Sequence, residues 1–397
     1  MIKSATAISY ELDDASAATR ELAASIRDGL VLEADSVGIL ICDADADGAA
    51  ISGELKDMLG INIVGMTTLA ALNADGHREA AITLTVLTSS DCTFSAAVSA
   101  PLTKDGYERE IADAYEKTRS AAPSGDEKPG VIFVFCPYGL PFSGDKYPDA
   151  FAKIVPGVPV MGGVASDDYD YERADVFFSG GKYRNAMVLI SIRGAVKPAF
   201  AIRHVTSRFA ERIRRVVKAE GNIVYRVGDE TMIEYLEGFG LKTDVDDPLL
   251  AFNSYPMMLT RDGGDETPLM RHISGLNHAD GSGSFFGDVP TGAMANICLV
   301  NKEDVRAACR ESMNALLAET GKRNDYTYST VLCISCCGRA MILGADSGAE
   351  GQILSEMLPP GLKLMGAYCL GEICPTRHSE DEAVNRFHNC SITLCIL

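Results

Sequence analysis

The chain has 397 residues, of which 47% are hydrophobic and 23% are charged, and its formal net charge at pH 7 is −19. This length predicts more than one domain, and the composition is typical of a globular protein rather than a disordered one. The negative charge argues against nucleic acid or an anionic membrane surface as a partner, because both are bound through clustered Lys and Arg.

The sequence also gives expectations about location. No apolar run reaches the roughly 18–20 residues that a membrane-spanning helix requires. The amino-terminal residues become acidic before a signal-peptide core could form. We therefore expect a cytoplasmic protein, in which the twelve cysteines are free thiols rather than disulfides.

Residues 14–29 have the apolar spacing of a helix, which would begin at Asp13 or Asp14 and end at Gly29. A longer pattern then occurs three times, starting at residues 37, 131 and 331. Each copy has an apolar run, about 20 residues of mixed or helical character, a second apolar run with a glycine, a polar loop and an alternating strand. We expect Gly65, Gly162 and Gly366 at matching strand ends.

Continuously apolar runs of this length are typical of strands buried on both faces of a sheet. The predicted fold class is therefore α/β, with mixed sheets, flanking helices and repeated strand–helix–strand–strand units in two modules. Cysteines near the ends of the first strands, such as Cys333, are expected to pack as small hydrophobic residues.

A different region separates the second and third copies. Residues 222–240 predict a strand, a turn and a helix, residues 268–300 predict a β-meander, and residues 302–320 predict an amphipathic helix. We place the boundary between the two modules at residue 240, which gives the ranges 1–240 and 241–397.

Several motifs together resemble the FIST N-terminal and C-terminal modules of sensory proteins. They are MGGVASDD (161–168), the segment 203–240, FGDVPTGA (286–293), SCCGR (335–339), and GAYCLGEICP (366–375) followed by HN (388–389). The resemblance implies a signal-input protein that binds a small ligand, with amino acids as the suggested class, and a hairpin that pairs RRVVKAE with NIVYRV. The chain departs from the family in its doubled Cys336–Cys337. It also shows no room for an output domain, so we expect a separate output protein.

In α/β sheets, ligands bind beyond the carboxyl ends of the strands. Polar residues that follow the predicted strands are therefore the expected ligand-binding residues: Ser166, Asp167, Asp168, His204, Cys337, Arg339, Tyr368, Glu372, His388 and Asn389. Arg339 would bind the carboxylate of a zwitterion, and Asp168 or Glu372 would bind its ammonium group. The alternative is that Arg339 and Glu372 pair with each other and hold two loops together.

Two other functions stay open. An enzyme could use Cys337 as a nucleophile, with its pKa lowered by Arg339 and with His204 or His388 as base, or it could use the Asp168 and Glu372 carboxylates. A scaffold for a protein partner is the third possibility. We expect no metal or cofactor, since the set of Cys369, Cys374, His378 and His388 matches no zinc-finger spacing and the segment 43–48 resembles a calcium loop only in part.

Overall fold

The architecture was analysed in a computed structural model that describes residues 1–73, 76–123, 125, 127–204, 212–260, 267–323, 325–379 and 382–397. Its helices are α1 (Ala15–Gly29), α2 (Gly48–Leu59), α3 (Tyr107–Ala121), α4 (Lys146–Ile154), α5 (Met232–Glu237), α6 (Pro248–Phe252), α7 (Lys302–Thr320), α8 (Cys337–Leu343) and α9 (Ala349–Met357). None of the helices in the described part of the chain is long and apolar enough to cross a bilayer.

Three six-stranded sheets share one plan. Sheet 1 has the order β1-β6-β2-β3-β10-β11 and comprises β1 (Lys3–Ser9), β2 (Val37–Cys42), β3 (Asn62–Thr67), β6 (Ile82–Thr88), β10 (Val176–Phe178) and β11 (Gly181–Tyr183). Sheet 2 has the order β7-β12-β8-β9-β24-β25 and comprises β7 (Cys92–Val98), β8 (Val131–Cys136), β9 (Val160–Val164), β12 (Val188–Gly194), β24 (Glu372–His378) and β25 (Ala383–His388). Sheet 3 has the order β13-β26-β22-β23-β4-β5 and comprises β4 (Ala71–Asn73), β5 (Gly76–Arg78), β13 (Ala199–His204), β22 (Thr330–Cys336), β23 (Lys363–Cys369) and β26 (Ser391–Ile396).

In each of these sheets one parallel pair lies between antiparallel neighbours. The parallel pairs are β2 with β3, β8 with β9 and β22 with β23. The hairpin that completes each sheet comes from a different copy of the repeat. The hairpin of the first copy joins sheet 3, that of the second joins sheet 1, and that of the third joins sheet 2. The three copies therefore exchange hairpins in a closed cycle.

A fourth sheet is built largely from the region between the second and third copies. It contains β14 (Arg214–Glu220), β15 (Ile223–Val227), β16 (Glu230–Thr231), β17 (Met257–Thr260), β18 (Leu269–Arg271), β19 (Ile273–Asn277), β20 (Ser282–Phe285) and β21 (Met294–Ile297). The predicted hairpin of RRVVKAE with NIVYRV is confirmed as β14 and β15. The predicted helix at 302–320 is confirmed as α7, and the predicted amino-terminal helix is α1.

The three repeat glycines occupy matching positions in the parallel pairs. Gly65 lies opposite Leu40, and Gly162 and Gly366 have the same register in their own sheets. A Cβ atom there would lie 1.7, 1.8 and 2.7 Å from the facing carbonyl oxygen, respectively. The match predicted from the sequence is confirmed, but the glycines lie inside the strands rather than at their ends.

Cysteine contributes to the core as a small hydrophobic residue. All twelve cysteines are buried and none forms a disulfide. Cys333 has no exposed surface and belongs to the same core as Met313 and Leu394. The predicted packing role of Cys333 is therefore confirmed. The module boundary at residue 240 stays a prediction, and three of the four sheets contain strands from both sides of it.

Candidate functional site

The carboxyl ends of β3, β9 and β23 meet at one point, which is closed by hydrogen bonds. The Ser166 hydroxyl donates to the Tyr368 carbonyl at 2.7 Å and accepts from the Leu69 amide at 3.0 Å. The Thr68 hydroxyl donates to the same Tyr368 carbonyl at 2.9 Å. Ser166 is fully buried, so its hydroxyl joins the three copies instead of facing a solvent-filled site.

The acidic loop after β9 is organised by its own backbone and by one arginine. Asp167 is buried, and its carboxylate accepts hydrogen bonds from the amides of Tyr169, Tyr171 and Arg173 at 3.0–3.1 Å. The Asp168 side chain is 63% exposed, and both its oxygens accept from Arg173 Nη2 at 2.8 Å. Carboxylate oxygens of Asp167, Asp168 and Asp170 lie within 4.8 Å of one another. The Arg173 guanidinium already supplies positive charge beside this group.

Arg339 lies in a fully buried ion pair with Glu350. Its Nη2 and Nε donate to Glu350 Oε1 at 2.7 and 3.2 Å. The other carboxylate oxygen, Oε2, accepts from the Tyr368 hydroxyl at 3.0 Å and from Ser335 at 3.1 Å. The partner of Arg339 is therefore Glu350, and the alternative that it pairs with Glu372 is wrong.

Glu372 is buried apart from this ion pair, and in the strand register it lies opposite His388. Its Oε2 accepts from the hydroxyl of Ser391 at 2.7 Å, whereas Oε1 has no partner among the described residues. Burial raises the pKa of Glu372 to about 8. His388 Nδ1 lies 3.2 Å from His204 Nε2. Burial lowers the pKa of His204 to about 3, and that of His388 well below its usual value, so both rings are neutral at pH 7.

These positions do not produce the zwitterion site expected from the sequence. Asp168 is exposed, whereas Arg339 and Glu372 have no exposed surface and belong to different hydrogen-bonded clusters. Asn389 is also buried, and its Oδ1 has no partner among the described residues. The prediction that one open pocket is lined by Asp168, Arg339 and Glu372 is therefore wrong.

The thiols do not have the properties of a nucleophile. Burial raises the pKa of Cys337 to about 12, so the expectation that Arg339 lowers it is wrong. Among the described residues, the aspartates after β9 bring three possible metal-ligand atoms together, whereas the zinc candidates Cys369, Cys374, His378 and His388 do not form such a group.

One predicted residue, His204, does line a large cavity. This cavity, hereafter the β13 cavity, has a volume of about 620 Å³ and lies between strand β13, helix α7 and strand β24. Its walls come from both sides of residue 240. The ionisable side chains that line it are Arg203, His204, Glu311, Glu319, Arg323 and His378.

Local contacts hold these side chains in place. Arg323 Nη1 donates to the carbonyls of Lys197 and Pro198 at 3.0 and 3.2 Å. The His378 ring stands edge-on to Phe200 with ring centroids 5.0 Å apart, and burial together with Arg323 lowers its pKa. Arg203 Nη1 donates to the carbonyl of Ile202 at 2.8 Å. The cavity therefore presents guanidinium, imidazole and carboxylate groups.

Sequence reasoning missed most of this cavity. One face of α7 carries Glu311, Ala315, Ala318 and Glu319 at helical spacing. This face differs from the apolar face by which the sequence predicts the helix. Arg323 follows that helix in a loop, where no periodicity applies. The usable signal was Arg203, which directly precedes the predicted residue His204.

Comparison with known proteins decides the family. A family model for the FIST N domain matches residues 36–230, and one for the FIST C domain matches residues 230–375. The chain belongs to the FIST family. FIST domains are sensory and signal-transduction domains. No curated protein matches this FIST chain.

Two solved structures are distantly similar to this FIST protein. One is described as "Cyanuric acid hydrolase: evolutionary innovation by structural concatenation", with 11% identity, 76% of this chain and 100% of that chain covered, and a TM-score of 0.30. Another is PurLQS from Thermotoga maritima, with 8% identity, 100% of this chain and 72% of that chain covered, and a TM-score of 0.23. Both TM-scores are below 0.5, so neither likeness supports an argument about function.

Proposed function

We propose that this FIST protein is a ligand-binding sensor whose ligand, an amino acid or a related polar metabolite, binds in the β13 cavity. The observation that carries the proposal is the convergence of cationic and anionic side chains from different elements on one cavity. Arg203 comes from β13, Arg323 follows α7, and Glu311 lies on α7 itself. Sites for small ligands are concave and hold a few convergent polar groups that fix the ligand's orientation.

The chemistry of the lining matches a zwitterion. A guanidinium binds a carboxylate through paired charge-assisted hydrogen bonds, and a carboxylate accepts from an ammonium group. Glu319 is paired with Lys322 at 2.6 Å, which leaves Glu311 as the stronger candidate for the ammonium group. The apolar lining from Ala315 and Ala318 would contact the ligand's side chain.

The proposal includes a separate output protein and a cytoplasmic location. A sensory domain acts through an output component, so we place the output of this signal on a separate protein. Twelve cysteines that form no disulfide support a reducing compartment. The burial of Cys337 and its raised pKa favour a binding role over nucleophilic catalysis.

The test is calorimetric titration of the full chain with a panel of amino acids and related zwitterions. We expect at least one to bind, and we expect Glu311→Gln and Arg203→Gln each to weaken that binding by about 10-fold to 150-fold. This range corresponds to the loss of one charge-assisted hydrogen bond, about 1.5–3 kcal/mol.

Glu356→Gln is the matched control, because Glu356 is also an exposed helical glutamate but does not line the β13 cavity. It should leave the affinity within twofold of the parent. The proposal is wrong if no zwitterion binds, or if both cavity variants bind the ligand as tightly as the parent does.

A further inference from the structure

A second cavity differs in chemistry from the β13 cavity. This cavity, hereafter the aromatic cavity, has a volume of about 350 Å³ and lies beyond the carboxyl ends of β8 and β9, where α/β sheets bind ligands. Its floor is the loop 137–144, and its opposite wall comes from the fourth sheet. Six aromatic rings line it: Tyr138, Phe142, Tyr147, Phe285, Phe286 and Phe387.

The rings of the floor are held in fixed positions. Phe142 packs between Tyr107 and Tyr147, with centroid distances of 4.8 and 5.6 Å. Tyr138 packs on Tyr171 at 5.2 Å. Proline at positions 137 and 141 restricts the backbone of the loop that carries these rings. A preformed aromatic surface of this kind can stack on a flat ligand with little loss of conformational entropy.

No charged side chain lines the aromatic cavity among the described residues. The charged residues next to its floor pair with one another outside it. Asp145 pairs with Arg271 at 2.8 Å, and Lys146 pairs with Asp288 at 2.9 Å. A charged ligand would therefore lose its hydration without gaining a counter-ion, which selects a neutral ligand.

Two hydroxyl groups in the lining, those of Ser143 and Tyr147, are buried and have no hydrogen-bond partner among the described residues. A buried hydroxyl usually has a partner, because an unsatisfied one costs about 1–3 kcal/mol. A ligand with a donor or acceptor at the edge of its ring would satisfy it.

We propose that the aromatic cavity is a second binding site, which takes a neutral planar ring compound with a hydrogen-bonding group at its edge. The rings of Phe142 and Tyr138 stack on the flat face of the ligand, and Ser143 bonds to its edge. This site is separate from the β13 cavity, because none of the residues that line one cavity lines the other.

Indole is the probe, since it is neutral, planar and bicyclic and has one N–H group. Binding to the full chain is measured by saturation-transfer NMR and by calorimetry. Leu140→Trp fills the aromatic cavity and should weaken indole binding at least 10-fold. Leu250→Trp adds the same side chain at a leucine that is 64% exposed, and it should leave the affinity within twofold.

Naphthalene is the matched ligand control, because it has two fused rings but no donor. Ser143→Ala should weaken indole binding at least threefold and leave naphthalene binding unchanged. If Leu140→Trp is not folded by circular dichroism, Phe142→Ala replaces it, with the same expected loss. The proposal is overturned if indole does not bind saturably, or if the cavity variant binds it like the parent.

The two proposals can fail independently. Glu311→Gln alters the β13 cavity alone, so it should not change indole binding. An indole signal that is lost in Glu311→Gln but kept in Leu140→Trp would move the ring site to the β13 cavity and refute the present inference.

Discussion

Arg339 and Glu350 form an ion pair in which neither side chain has any exposed surface, and this pair links α8 to α9. Tyr368 and Ser335 complete the hydrogen bonding of the carboxylate. A residue expected from the sequence to anchor a ligand is thus committed to the interior of the third copy.

We predict that Arg339→Ala destabilises the protein strongly. Removing one partner of a buried ion pair leaves the other charge buried and unpaired, which costs about 3–5 kcal/mol. The measurement is the free energy of unfolding in urea. Lys302→Ala is the control, because the Lys302–Asp346 pair is 44% exposed on both sides and such pairs are worth about 0–1 kcal/mol. A loss in Arg339→Ala no larger than in this control would contradict the burial argument.

We predict that the titration of Glu372 makes the free energy of unfolding decrease as the pH rises. A glutamate in the unfolded chain loses its proton near pH 4.5, whereas folded Glu372 keeps its proton up to about pH 8. Between these values the folded state binds more protons than the unfolded state, so stability falls with increasing pH. Glu372→Gln lacks this titration, and it should gain stability relative to the parent between about pH 5 and about pH 8.

Urea unfolding of parent and variant at both ends of that window measures the difference. Comparing the two proteins at each pH removes the contributions of His204 and His388, which both proteins share. A difference between Glu372→Gln and the parent that stays constant across this window would mean that Glu372 does not hold its proton in the folded state.

We predict that Cys337 does not react with iodoacetamide in the folded protein at pH 8. The reactive species is the thiolate, and burial raises the pKa of this thiol to about 12. Mass spectrometry should find Cys337 unmodified in buffer and all twelve cysteines modified in urea. Rapid labelling of Cys337 without denaturant would revive the possibility of a nucleophilic enzyme.

We predict that Gly65→Ala and Gly162→Ala are both destabilising. The new Cβ atoms would lie 1.7 and 1.8 Å from a backbone carbonyl oxygen, so the strands must separate, at a cost of about 1–3 kcal/mol or more. Gly29→Ala is the control, because its Cβ would lie 3.8 Å from the nearest atom. Thermal unfolding compares the three, and equal melting temperatures would show that the match of the glycines has no steric basis.

The repeat could be predicted from the sequence because apolar runs and their glycines are local signals. The parallel pairs, α1 and α7 follow from such patterns. The exchange of hairpins could not be predicted, since β4 and β10 have three residues each and pair with strands far away in the sequence. Short strands carry no information about which sheet they join.

For the candidate site, the sequence indicates which types of residue follow the strands, but it does not indicate where their side chains lie in the fold. Polar residues do follow the strands, but the side chains of Ser166 and Asp167 form hydrogen bonds within the fold instead of facing a ligand. The partner of Arg339, Glu350, lies in a helix with no distinguishing sequence pattern. His204 is predictable because it ends a strand, whereas Arg323 lies in a loop after α7, where no sequence pattern indicates a site.

Because of the hairpin exchange, an early hairpin cannot pair with its partner strand until most of the chain has been synthesised. The β4–β5 hairpin ends at residue 78, but its partner strand β23 begins only at residue 363. At about 5–20 residues per second, the hairpin waits roughly 15–60 s for that partner. During this time the unpaired edges of the hairpin are open to pairing with other strands, so we expect mispairing to be the main hazard until β23 has been made.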